Sequence, residues 1–233
     1  MEKIKILCDR TYYSELFLTL LLVVLLIVSI ANFKKHPQLR IFPIYIFSFI
    51  LLKANIYSYY LLEGQPVAET LKYIHGYSDL IVTLLEFLAF VYFFMSVFNS
   101  RKRKVVTLIV TILFYIASFL ITIFNLIPNI NNNYDSLTLI YILESIALLV
   151  PCFFYFQELF FSTRRVNPLE IADFWAASGI TFYTICTLPT SFFLDYFNRT
   201  DYALYQQLFS IVNIFYIVLF AMVLKSYLCK PTQ

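Results

Sequence analysis

"ELFLTLLLVVLLIVSIANFKK", residues 15–35, decides the architecture of this chain. No charged residue stands between Glu15 and Lys34. A helix rising about 1.5 Å per residue needs only about 20 such residues to cross a hydrocarbon core roughly 30 Å thick. The stretch ends on Lys34 and Lys35, with Arg40 shortly after, a basic flank of the kind held at the cytoplasmic face of a membrane. The run is therefore read as a membrane-spanning helix over about 12–33. Similar runs follow at about 40–62, 78–98, 105–127, 137–158, 172–193 and 204–228, separated by polar or charged breaks. The expectation is an all-α polytopic membrane protein, a single seven-helix transmembrane domain occupying 1–233.

Composition agrees. The 233 residues are 61% hydrophobic and 13% charged, with a mean hydropathy of +0.78, which excludes an ordinary soluble domain. The net charge of +3 comes from short basic clusters between apolar runs, so the bilayer, not nucleic acid, is the expected partner. Cys8, Cys152, Cys186 and Cys229 lie in different segments without ligand spacing. They indicate neither a disulfide framework nor a metal site, and no cofactor is implied. Only Gly64, Gly76 and Gly179 are present and none forms a GxxxG pair, so helices should meet through bulky side chains rather than by close backbone approach. The prolines at 43, 151 and 189 lie within the runs, where a kink is expected.

Charge sets the expected threading. The breaks after the first, third, fifth and seventh runs hold eleven basic residues: Lys34, Lys35, Arg40, Arg101 to Lys104, Arg164, Arg165, Lys225 and Lys230. The opposite side holds five, Lys3, Lys5, Arg10, Lys72 and Arg199, together with most of the acids, Glu15, Asp79 and Asp201 among them. The positive-inside rule places the N-terminus outside and the C-terminus in the cytoplasm. A cleaved signal over 1–31 competes for the first run, but Glu2, Asp9 and Glu15 neutralise its leading segment while "NFKKHPQLR" after it is strongly basic. The helix is expected to be retained. "PNINNNYDS", 128–136, is a polar outer turn, and "NRT", 198–200, fits a glycosylation triplet on the same side.

Three charges interrupt the apolar runs: Lys53, Glu86 and Glu144. Each falls about 3–6 Å to the outer side of the centre of its run. A central charge costs about 2.5–3.5 kcal/mol on insertion scales, which falls if charges face inward and pair. Lys53 is expected to pair with one of the two carboxylates and leave the other protonated or available. Helical spacing places Thr83 with Glu86, Tyr141 with Glu144, and Ser210 and Tyr216 with Asn213, while Asp79 and Gln206 lie two turns earlier on the same faces. Tyr57 and Tyr60 share a face with Lys53. The candidate ligand or ion site is thus Lys53, Glu86, Glu144, Asn213, Tyr57, Thr83, Tyr141 and Ser210, in a polar pocket open to the outer side. The alternatives are a proton relay and a cluster that only fixes helix packing.

Several classes drop out. The seventh run has no lysine at its middle for a retinal Schiff base, and no HExxH, GxSxG or His-carboxylate cluster is present, so an enzyme is not expected. "PQ" at 37–38 falls in a loop rather than in a kinked helix of the Pro-Gln transporter type. "ILFYIASFLITIF", 112–124, and "ITFYTICTLPTSF", 180–192, match at several positions, as a duplicated helical hairpin would.

"LRIFPIYIFSFIL", 39–51, and "DFWAASGITFYTICTLPTSFF", 173–193, resemble the entries to the second and sixth helices of seven-helix membrane regions in Bacteroidetes-type bacteria. Those regions are fused to histidine kinases or stand alone. The resemblance covers about a sixth of the chain and implies a bacterial inner membrane, multi-pass placement and a part in signalling. With "YLCKPTQ" at its end and no kinase following, signalling would pass through a separate cytoplasmic or membrane partner. The leading expectation is a receptor-like or sensor subunit for an unknown small ligand. A small, proton-coupled transporter and a structural subunit of a membrane complex are the alternatives.

Overall fold

A computed structural model describes residues 13–62, 66–126, 133–161 and 167–229, and these are helical apart from short turns. Seven long helices follow one another: α1 (Tyr13–Ala31), α2 (Phe42–Leu62), α3 (Pro66–Val97), α4 (Arg101–Leu126), α5 (Asn133–Phe161), α6 (Ala172–Thr200) and α7 (Tyr202–Leu228). Each is long and apolar enough to cross a membrane, as the seven runs require. The protein is an all-α, multi-pass membrane bundle. Lys3, Lys5, Arg10, Arg164, Arg165 and most of the 128–136 turn lie outside the described residues.

Local chemistry sets the helix ends. Pro37 opens a 3₁₀ turn, Pro37–Leu39, that leads into α2. Pro43 then sits in the first turn of α2, where its missing N–H breaks no helical bond, so it starts the helix instead of kinking it. Pro151 and Pro189 do lie inside α5 and α6. α3 begins at Pro66 rather than at 78, because Pro suits a first helical position and no further proline interrupts the segment. Asp201 leaves helical geometry between α6 and α7, and its Oδ1 accepts the N–H of Leu204 at 3.1 Å, capping α7.

The helices close into a ring. α1 packs on α2 and on α7, and α3 takes the centre, touching α2, α4, α5 and α6. Phe42, Phe87, Phe90, Phe93, Phe94 and Phe220 fill the interior completely buried. α4 shows the membrane logic in reverse: Leu108, Ile112, Leu113, Ile116 and Phe119 are exposed, whereas Thr107, Thr111 and Ser118 are buried. In lipid an outward apolar face costs nothing, and polar groups do better turned toward other helices.

One packing expectation fails. At Gly179 of α6, an added Cβ would lie 2.9 Å from Met222 Cβ and 3.2 Å from the Leu219 carbonyl oxygen on α7. The α6–α7 pair, the most extensive in the bundle, thus uses a close backbone approach at this point, with Ala176 and Ala177 buried beside it. A single glycine among small neighbours suffices, without a GxxxG pair.

Candidate functional site

The polar side chains inside the bundle form two centres rather than one. The first joins α1, α2 and α7. Lys53 Nζ donates to Glu15 Oε1 at 3.1 Å, with both residues 4% exposed. The rings of Phe49 and Phe209 lie 5.8 and 5.9 Å from the ammonium, a cation–π setting. Around the pair, Tyr57 and Thr19 share a hydroxyl hydrogen bond of 2.8 Å, and Ser210 and Ser14 share one of 3.1 Å. Lys53 and Tyr57, which share a face by spacing, therefore lie in one centre with Ser210, which spacing groups with Asn213 instead.

The partner of Lys53 corrects the sequence expectation. Lys53 meets neither Glu86 nor Glu144 but Glu15, an acid assigned to the outer flank of the first run. A lysine stem is long enough to climb about one helical turn toward the membrane boundary, so depth counted at the backbone misplaces its charge.

The second centre lies deeper, among α2, α3, α5, α6 and α7. Glu86 Oε2 accepts the phenol O–H of Tyr45 at 2.7 Å and that of Tyr216 at 3.2 Å. Tyr183 donates in turn to the oxygen of Tyr216 at 2.7 Å, their rings 4.7 Å apart. The result is a hydroxyl chain from Tyr183 through Tyr216 to Glu86. Glu144 lies within electrostatic reach of Glu86. Glu86 is 2%, Asn213 3% and Glu144 4% exposed, yet Glu86 Oε1, Glu144 Oε1 and Asn213 Nδ2 have no hydrogen-bonding partner among the described residues. Buried polar atoms are nearly always partnered; His36 Nδ1, Asn55 Nδ2, Thr107 Oγ1 and Ser118 Oγ are orphaned elsewhere in the bundle, and the two carboxyl oxygens stand out because Glu86 and Glu144 lie within electrostatic reach of each other.

Above this centre, two turns back along α3, Asp79 accepts the O–H of Tyr141 at 2.7 Å, and Thr83 donates to the Asp79 carbonyl at 2.9 Å. Asp79 and Thr83, which spacing places on the face of Glu86, thus continue the polar groups of α3 by two turns and are joined there by Tyr141 of α5. Tyr45 and Tyr183 were not anticipated. Their signal was present: Tyr45, Phe49 and Lys53 recur every four residues, and Tyr183 precedes Thr187 by the same interval. In a chain with 19 tyrosines, that spacing alone singles out neither.

The basic end of the bundle is tied differently. Gln38 donates to Asp173 Oδ1 at 2.7 Å, Tyr227 to the Leu39 carbonyl at 2.8 Å, and Ser226 to the Ala172 carbonyl at 2.7 Å. Arg103 pairs with Glu158 between α4 and α5. His36, 1% exposed, presents its ring edge-on to Tyr227. Burial lowers its pKa below the ordinary 6.5, with Lys35 acting in the same direction and Asp173 against it.

Comparison with protein-family models, with curated proteins and with solved structures returns no match.

Proposed function

We propose that this chain is a receptor-like sensor subunit of a bacterial inner membrane, N-terminus outside, in which the Glu86–Glu144–Asn213 centre binds a proton or a small cationic ligand and shifts the helices that bear it. The observation that carries this is the pair of buried carboxyl oxygens, Glu86 Oε1 on α3 and Glu144 Oε1 on α5, without a partner among the described residues; the Asn213 amide on α7, a donor, is likewise unpartnered. Lys53, the cation expected to neutralise one of the two carboxyls, is engaged by Glu15. The centre therefore favours an occupant that brings positive charge or donors. The column through Thr83 and Asp79 supports entry from the outer side. The basic turns, with Arg101 to Lys104 at the start of α4, are suited to pass a helix shift to a separate partner.

The Tyr183–Tyr216–Glu86 chain favours a second role, a proton-coupled transporter, because hydroxyls linked in series can pass a proton. One experiment separates the two. Wild-type protein in sealed vesicles should show changed hydrogen exchange over 98–104 when the outer pH is stepped or a monovalent cation is added. Glu86→Gln should abolish the change while leaving the fold intact by circular dichroism. A variant that responds as the wild type does defeats the sensor, and a trapped pH dye reporting Glu86-dependent proton entry establishes the transporter instead.

A further inference from the structure

At the basic end of α1 a cavity of about 620 Å³ is lined by Ile30, Ala31, Phe33, Lys34, Lys35 and Pro43. Its volume falls in the range of about 300–1,000 Å³ typical of small-ligand sites. Four of its walls are apolar. Lys34 and Lys35 supply the polar side, and Arg40 lies over the Phe33 ring at 5.8 Å, bringing a third cation to the same rim. All three are exposed, and no acid among the described residues forms an ion pair with them.

We infer that this cavity is a binding site for the anionic headgroup of a phospholipid. Three observations converge on that occupant. The site carries three cations at its rim and no carboxylate in its lining, so it is complementary to a phosphodiester. Its apolar wall is continuous with the exposed face of α1, where Leu20, Val23, Val24, Ile27 and Ile30 form a track for acyl chains. Finally, it sits where a membrane-spanning segment ends, at the depth of lipid headgroups. A soluble anion would gain from the cations alone, whereas a lipid fills the apolar wall as well.

The site is independent of the Glu86 centre and is tested on the intact protein in bilayer nanodiscs holding equal amounts of phosphatidylcholine and phosphatidylglycerol. Native mass spectrometry should find phosphatidylglycerol retained at least about tenfold over phosphatidylcholine, since each basic residue near a lipid surface contributes about 1 kcal/mol. Lys34→Gln/Lys35→Gln/Arg40→Gln should bring the ratio close to one, and Lys34→Arg/Lys35→Arg should keep it, which separates lost charge from lost fold. Equal retention of the two lipids by the wild type overturns the assignment, as does an unchanged preference in the triple glutamine variant. If inorganic phosphate displaces the retained lipid completely, the site takes a free anion and the lipid assignment fails.

Discussion

Two buried glutamates of this bundle have opposite surroundings. Glu15 faces a lysine, and its neighbours, Thr19 with Tyr57 and Ser14 with Ser210, are hydrogen-bonded among themselves. Glu86 accepts from two tyrosine hydroxyls and lies within reach of a second carboxyl, and one of its oxygens has no partner among the described residues. The same residue type thus serves two purposes. A neutralised pair inside a low-dielectric bundle locks α1 and α2 in register, and removing one partner strands the other charge. Glu86 ties α3 to α2 and α7 through one oxygen only, by neutral hydroxyl donors, and its other oxygen remains ready for an occupant.

The largest effect should come from breaking the pair. Lys53→Met leaves Glu15 buried without its cation and should cost about 3–5 kcal/mol in reversible unfolding from detergent micelles. Glu15→Met added to Lys53→Met should return most of that loss, because an apolar pair fills the space without stranding a charge. A double variant as unstable as the single one would mean that Glu15 does not depend on Lys53, and the contrast between the two glutamates would collapse.

A smaller effect is expected in the second centre. Tyr216→Phe removes the O–H given to Glu86 and the oxygen that accepts from Tyr183, and should cost about 1–2 kcal/mol, clearly less than Lys53→Met. Measured side by side, equal losses would make the Glu86 centre as structural as the ion pair. A near-neutral Tyr216→Phe that also slows the exchange response of 98–104 would sharpen the division between the two.

How much of this the sequence carries follows from the same contrast. Run length and hydropathy give all seven helices, because crossing a bilayer demands about 20 apolar residues whatever surrounds them. Helical spacing gives which residues share a face, and so groups Thr83 with Glu86 and Asn213 with Tyr216. Spacing is silent on which faces meet. That depends on helix rotation and on how far a flexible side chain reaches, so Lys53 is paired wrongly while Glu86 is correctly placed in a polar column. Gly179 was misjudged for a related reason: close approach needs one small residue opposite a fitting surface, and the surface, Met222 and Leu219, lies on another helix.

The smallest effect comes from His36, and it must be removed before any pH response is credited to the carboxyl centre. Its pKa in the folded protein is lowered, chiefly by burial, so the unfolded chain binds a proton near pH 6.5 that the folded protein still refuses. Stability from this group is therefore complete above about 6.5 and declines as the pH falls from there toward the lowered value. The melting temperature should drop between pH 7.5 and 5.5, and His36→Gln should flatten that arm. Lys35→Gln removes a neighbouring positive charge, raises the His36 pKa toward its ordinary value and should make the drop shallower. Any pH dependence that survives in His36→Gln and vanishes when Glu86→Gln is added belongs to the Glu86 centre. If adding Glu86→Gln leaves the His36→Gln profile unchanged, the under-satisfied acid takes up no proton in this range, and its occupant is a cationic ligand.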